Sequence, residues 1–433
     1  MILTAEYLKK LTTHTLARGA SWILAGQGAN FFLQAVYFLL LARLLGATEY
    51  GIFAGTFALV NLVTPYSAFG STMLFMRYVC LDRSQANIYW GNALLITVVM
   101  TALIVCLFVF IGPVLTNIHR GGLFAALVVA NCLFGQIPVL ASGVFQTFDK
   151  MHVTAALRLL SNLARVLTVV LAKIILVHAT AFQWALGVLI ASFCAAAISM
   201  LWVRSEIGQL KIDVSLIFRR TREGLGFAFA GSTQTVYNEV DKIMLSHYGL
   251  NKENGFYTLA YRIVDFATAP MWAIEAVIMP RMFRLGQKST TNVVQLAVKA
   301  GATSAVLGVL IAVVLLLTAP IIPHLVGRDF AQVIAALRWL CLIPLWRGIH
   351  QVAGSALTST GHQNLWTIAQ VTVAGANFLL NLWWIPLHGW IGAAWASIAS
   401  DGLLAVLNSL LLLWLWRKIS TCSVVNVRTV TDA

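Results

Sequence analysis

Glu49-Tyr50-Gly51-Ile52-Phe53, followed by Pro65, recurs as Glu253-Asn254-Gly255-Phe256-Tyr257, followed by Pro270. The likeness spreads outward from these two stretches. Gln27 and Gln34 have counterparts in Gln234 and Asp241. Gly143 matches Gly354, and the His178/Trp184 turn matches His388/Trp395. The offset stays between 204 and 211 residues, so one half of the chain overlies the other with small gaps. Two like halves in a bilayer, with binding groups between them, describe a transporter better than an enzyme.

Composition puts the repeat in a membrane. The chain is 60% hydrophobic and 10% charged, with a mean hydropathy of +0.84. Soluble domains carry roughly 25% charged residues, so a soluble fold is excluded. The continuous apolar runs do not alternate as barrel strands do, and backbone in lipid must pair internally. They are therefore read as helices, twelve in all, near 20–45, 50–74, 90–112, 121–148, 152–177, 181–203, 224–248, 255–280, 295–319, 331–357, 363–386 and 389–416. The first run is too long for a signal-peptide core and lacks a cleavage site, so it reads as a retained helix. The expected fold is an all-α membrane protein of about twelve spans in two parallel six-helix repeats. The expected organisation is a polar arm (1–19), a first lobe (20–203), a basic linker (204–223), a second lobe (224–417) and a tail (418–433).

The net charge of +14 has a topological explanation. With the N-terminus inside, most basic residues fall in cytoplasmic segments, among them Lys9, Arg18, Arg77, Lys150, Arg204, Arg219, Arg220, Arg222, Arg281 and Arg417. Arg43, Arg120, Lys252 and Arg328 fall on the other side. The positive-inside rule then puts both termini in the cytoplasm. Nucleic acid is not needed to explain the charge. The linker end Phe218-Arg219-Arg220-Thr221-Arg222 should lie at the inner headgroups.

Enzymatic signatures are missing from the sequence: there is no phosphate-binding glycine loop, no His-Glu-x-x-His and no Gly-x-Ser-x-Gly. The six cysteines are scattered without Cys-x-x-Cys, so neither disulfides nor a metal site are expected. The chain reads as no enzyme and as needing no cofactor, with a proton or sodium gradient as the candidate energy source. Gly51-x-x-x-Gly55 fits close packing of two helices.

Charges inside the spans carry the functional signal, because each costs roughly 2.5–3.5 kcal/mol at the bilayer centre on insertion scales. At 1.5 Å per residue, Arg158 lies about 9 Å and Arg165 about 20 Å from the inner end of the fifth span. Seven residues apart, they share one face. Arg347 is deep in the tenth span, just past a kink expected at Pro344, and Arg338 is shallower. These four arginines are the candidate cationic lining for an anionic headgroup, since a guanidinium holds phosphate oxygens bidentately. The alternative is structural pairing with interior acids. Gln27, Asn30 and Gln34, and Gln234 and Asn238 with Asp241, form polar stripes on the first helix of each half. They suit a lumen or hydrogen bonds between helices. Glu239, Asp241, Lys242, Arg262 and Asp265 read as a self-neutralising network. Asp241 and Asp401 are the candidate ion-coupling groups.

Leu44-Leu-Gly-Ala-Thr-Glu-Tyr-Gly51, and Val240-Asp-Lys-Ile-Met-Leu245 followed by Gly255-Phe-Tyr257, Ala260-Tyr-Arg262 and Pro280, resemble one known family. It is the polysaccharide-transport branch of the multidrug/oligosaccharidyl-lipid/polysaccharide exporter superfamily. The resemblance covers nearly the whole chain. It implies an inverted-V exporter that flips polyprenyl-pyrophosphate-linked oligosaccharides across the bacterial cytoplasmic membrane for O-antigen, capsule or exopolysaccharide. It also implies a basic lumen and, as partners, a polysaccharide polymerase and glycosyltransferases beside membrane lipid. Two other functions compete: a cation-coupled drug or metabolite antiporter, and a membrane polysaccharide polymerase or ligase. The deep arginines oppose the first, and the short outer loops oppose the second.

Overall fold

The computed structural model describes residues 2–287 and 289–431, with side chains over 28–229, 232, 235–287 and 289–417. Every regular element among them is helical: α1 (Ile2–Ser67), α2 (Ser71–Val79), α3 (Ala86–Thr116), α4 (Gly121–Val128), α5 (Gln136–Thr147), α6 (Met151–Ile175), α7 (Ala181–Ile207), α8 (Val214–His247), α9 (Asn251–Ala267), α10 (Ala269–Gly286), α11 (Thr290–Thr318), α12 (Ile322–Val326), α13 (Val333–Leu340), α14 (Ile343–Ser359), α15 (Gln363–His388) and α16 (Trp390–Thr431). A π-helical turn, Val129–Phe134, joins α4 to α5. The arm and tail continue the helices α1 and α16.

Each of the twelve expected spans falls on a helix or a helix pair. By length and apolar composition alone, the described residues hold eight spans, or up to ten if each bent pair counts as one. Two causes account for the difference. Spans one and two lie together in one stretch, Gly28–Val79. They are separated by Gly46, whose φ of 70° and ψ of 170° interrupt the helix inside α1 in a conformation that glycine alone adopts freely. Helix α8 is too polar to pass, because it carries Arg219, Arg220, Arg222, Glu223, Glu239, Asp241 and Lys242. The kink expected at Pro344 is a 44° bend between Arg328–Leu340 and Ile343–Ser359. Pro344 sits in the first turn of α14, where its missing N–H leaves no hydrogen bond unmade.

The chain forms two compact units, 1–255 and 256–433. The sequence repeat divides at the linker, whereas compactness divides after Gly255, because α8 packs along α1 and α3. The first unit is centred on Phe75, Tyr89, Trp90, Val144, Leu157 and Val203, from α2, α3, α5, α6 and α7. The second is centred on Met282, Val293, Val352, Leu357 and Leu412, from α10, α11, α14 and α16.

Inside the first unit the two copies of the repeated motif meet. A Cβ on Gly51 would lie 1.7 Å from the Asn251 carbonyl oxygen and 2.8 Å from the Gly255 nitrogen. A Cβ on Gly255 would lie 1.9 Å from the Ala47 carbonyl oxygen. Gly55 faces the Ser246 hydroxyl, 1.8 Å from where its Cβ would be. Small residues thus let the backbones touch, as the Gly51-x-x-x-Gly55 spacing predicts. The Asn254 side-chain amide fills the seam, 3.2 Å from the Gly51 carbonyl, 3.0 Å from the Lys242 carbonyl and 2.9 Å from the Ser246 hydroxyl. Glu49 ties the same region to α7. It takes a bidentate pair from Arg120 at 3.0 and 3.2 Å and the Ala181 backbone N–H at 2.6 Å.

Gly51→Ala and Gly255→Ala should each destabilise the protein by about 1–3 kcal/mol, the usual range for overpacking. Gly301→Ala, whose new Cβ would meet nothing within 4 Å, should be neutral. Thermal unfolding in detergent measures all three, and equal midpoints would contradict the backbone contact.

Candidate functional site

Helix α6 presents a polar face to one side and packs with the other. Thr154, Ala155, Leu157 and Val169 are buried. Arg158, Ser161, Asn162 and Arg165 fall at i, i+3, i+4 and i+7 and share a face. Arg158 is exposed and Arg165 half-buried. The Asn162 amide donates to Asn30 Oδ1 on α1 at 2.9 Å, so one residue of the predicted α1 stripe does line this face. Arg165 reaches Asn131 Oδ1 at 3.5 Å. Asn131 stands on the π-helical turn and donates its own N–H to the Leu127 carbonyl at 2.9 Å. Such turns recur at functional sites, and nothing in the apolar run 121–148 announced this one.

Neither Arg158 nor Arg165 pairs with a carboxylate among the described residues. One contact at 3.5 Å, the outer limit of hydrogen-bonding distance, with an uncharged amide does not neutralise a guanidinium. The Asn131 contact therefore orients Arg165 and leaves its charge available to an anion. Gln34 is half-buried with no hydrogen bond among the described residues. The side chains of Gln27 and Gln234 lie outside the described residues. Asn238 contributes its backbone carbonyl, which accepts from Lys242 Nζ.

Arg347, expected beside Arg158 and Arg165 as a substrate-facing cation, has acidic partners that they lack among the described residues. It is buried, 9% exposed. Its Nη1 lies 2.6 Å from Asp265, its Nη2 donates to the Tyr261 hydroxyl at 2.8 Å, and its Nε is 3.8 Å from Asp401. Its guanidinium carbon also lies 5.4 Å from the Tyr261 ring centroid. Asp265 also meets Arg262 at 3.6 Å, and His350 Nε2 lies 3.5 Å from Asp401. A lone buried charge costs several kcal/mol, and flanking carboxylates offset that cost. Arg347 is enclosed by acids and is part of the frame of the second unit. Arg338, on α13, is exposed and forms no ion pair with them among the described residues.

Of the five charges expected to neutralise one another, Glu239, Asp241 and Lys242 meet on α8, and Arg262 and Asp265 meet each other beside Arg347. Lys242, almost wholly buried, has Asp241 at 3.0 Å and Glu239 at 3.8 Å, and Asn61 donates to Glu239 at 3.2 Å. Sequence reasoning missed a second polar seam in the second unit. Asn377 donates to Ser400 at 3.0 Å, Asn381 to Asn377 at 3.0 Å, and Asn408 to the His350 carbonyl at 3.2 Å. The signal was there in the spacing. Asn377 and Asn381 are four apart on α15, and Ser397, Asp401 and Asn408 repeat every turn or two on α16.

The family described as "Polysaccharide biosynthesis protein" matches residues 16–286. The chain belongs to that family. It lies in the polysaccharide-transport branch of the exporter superfamily that the sequence resembles. A second family, MatE, matches residues 227–383. A curated relative from Haloferax volcanii, the "Probable low-salt glycan biosynthesis flippase Agl15", is 22% identical over 393 residues, covering 88% of this chain and 80% of its own. Among solved structures, an inward-facing multidrug resistance MATE family transporter of the MOP superfamily superposes with a TM-score of 0.70 at 13% identity, covering 90% of this chain and 95% of its own. The lipid II flippase MurJ in an inward closed conformation also reaches 0.70, at 16% identity, covering 89% and 86%. These likenesses establish the fold. The relatives are carriers, and the chain stands among multi-pass membrane transporters and not among enzymes.

Arg347→Ala should destabilise the fold by about 3–5 kcal/mol, because it leaves buried carboxylates uncompensated. Arg165→Ala should cost about 1.5 kcal/mol or less, the low end for a hydrogen bond with a charged donor, because the contact it loses is 3.5 Å long. Thermal melts of the two variants in detergent compare them. An Arg165 variant that falls as far as the Arg347 variant would contradict the assignment of Arg165 as the unpaired cation.

Proposed function

We propose that this transporter flips polyprenyl-pyrophosphate-linked oligosaccharides from the inner to the outer leaflet of a bacterial cytoplasmic membrane, for surface polysaccharide assembly. The observation that carries the reading is the cationic face of α6, with Arg158 and Arg165 lacking a carboxylate partner among the described residues. A pyrophosphate–sugar head loses its hydration in hydrocarbon and does not cross unaided. Arginine forks match phosphate oxygens bidentately and supply in the bilayer the charge that water supplies outside it. The family membership and the flippase named among the relatives support the same substrate class. Alternating access about a midplane site is the mode of transport. Both termini are then cytoplasmic, and a polymerase and glycosyltransferases act before and after the flip.

The runner-up is a cation-coupled antiporter. The buried Asp401, between Arg347 and His350, is the group that would take a proton or sodium ion, and in a gradient-driven flippase it would do the same.

Reconstituted with a fluorescent polyprenyl-pyrophosphate oligosaccharide, the wild type should expose the label to an impermeant quencher. Arg165→Ala should do so at least ~10-fold more slowly, as the loss of a charge-assisted contact implies, with a melting midpoint lowered far less than that of Arg347→Ala. A variant as fast as the wild type removes Arg165 from the transport path. A folded wild type that moves none of several glycans brings the antiporter forward.

A further inference from the structure

A cavity of about 260 Å³ lies in the first unit, between α2, α3 and the start of α8. Its walls are apolar: Ile96, Val99 and Met100 from α3, Leu216 and Ile217 from α8. Val99 is half-exposed and continues into the exposed strip Val98, Leu103, Leu107 and Phe110 of α3, so the cavity is open to lipid chains along that helix. Its polar rim holds Asn92 and Arg220.

The rim is rigid and cationic. The Asn92 side-chain amide donates to the Asp213 carbonyl at 3.0 Å and its Oδ1 accepts the Asp213 backbone N–H at 2.9 Å. The Lys211 carbonyl lies where a Cβ on Gly91 would sit, at 2.1 Å, so the linker lies flat on α3 before α8 begins. Asp213 then caps α8 at the Leu216 N–H, 3.2 Å away. The Ser215 hydroxyl and that amide hold its carboxyl below the usual carboxylate range. The Arg220 guanidinium carbon stacks 4.0 Å from the centroid of Tyr78, which stacks in turn on Tyr89 at 5.5 Å. Glu223 steadies it at 3.8 Å while bonding Arg77 at 2.5 Å and the Tyr78 hydroxyl at 2.8 Å. The buried Nε of Arg220 makes no hydrogen bond among the described residues. Arg77, Arg219, Arg220 and Arg222 outnumber Asp213 and Glu223 here. Phe218, 77% exposed among these arginines, is the apolar anchor of a basic interfacial helix.

We infer that this groove is a binding site for an anionic phospholipid of the surrounding leaflet, with an acyl chain between α3 and α8 and its phosphate on Arg220. Apolar walls opening outward and a part-exposed guanidinium at the polar end match the two halves of that molecule. A zwitterionic lipid offers the same chain without the net charge that the rim selects. The bound lipid would fasten the linker and the base of α8 to the bilayer. The inference stands on the first unit alone and does not depend on what the protein transports.

Native mass spectrometry of the full chain in detergent tests it, with phosphatidylglycerol and phosphatidylcholine of identical chains as probes. The wild type should retain one phosphatidylglycerol about tenfold more tightly than phosphatidylcholine, as expected for one charge-assisted contact. Arg220→Gln should abolish the preference. Val99→Trp, which fills the lipid-side opening from a half-exposed position, should weaken both lipids alike. Equal retention of the two lipids by the wild type, or retention indifferent to both variants, overturns the proposal. So does displacement of phosphatidylglycerol by a polyprenyl phosphate at the same stoichiometry, since the groove would then hold the chain of a carried lipid.

Discussion

Direct backbone contact at Gly51 and Gly255 is the constraint on which the first unit is built. In lipid, apolar side chains gain little by leaving one hydrocarbon environment for another, so helices associate where surfaces fit closely and polar groups pair. Two glycines from matching positions of the repeat supply the fit, and Asn254 supplies the hydrogen bonds. Glu49, two residues before Gly51, extends the same point to Arg120 and to the start of α7. With these backbones fixed, α1 holds Asn30 against Asn162 and so sets the face that α6 presents.

The intramembrane charges then divide into two kinds by what surrounds them. Arg347, Lys242 and Arg262 are met by carboxylates within 4 Å, and their Coulombic and desolvation terms largely offset each other. They stabilise a particular arrangement of helices and have little attraction left for a ligand. Arg158 and Arg165 have no carboxylate partner among the described residues, so their charge is not cancelled there. An uncancelled charge of this kind is what the proposed anionic headgroup would meet.

Much of this was legible in the sequence, for particular reasons. Apolar run length reports spans directly, and a glycine repeated at a fixed offset reports a backbone requirement that other residues do not meet. The break at Gly46 was located only as a gap between two spans, since Leu44-Leu45-Gly46-Ala47 contains helix formers on both sides. Depth along a helix was readable for Arg165 and Arg347 alike, but depth does not reveal partners. Asp265 lies 82 residues from Arg347, and no local pattern joins them. The π-helical turn that turns Asn131 toward Arg165 also left no mark, because its residues are ordinary helix formers. In the polar seam of α14, α15 and α16 only Asp401 stood out in the sequence, because the amides Asn377, Asn381 and Asn408 carry no charge to mark them in an apolar run.

The account turns on unpaired arginines holding a pyrophosphate head, and equilibrium binding tests that most directly. Affinity for a polyprenyl-pyrophosphate oligosaccharide would be measured in detergent for the wild type and for Arg158→Gln/Arg165→Gln, at low and high salt. The account predicts a loss of at least ~10-fold in the variant, as for one charge-assisted contact, and a wild-type affinity that weakens as salt rises. Equal affinity in both proteins, independent of salt, would contradict it.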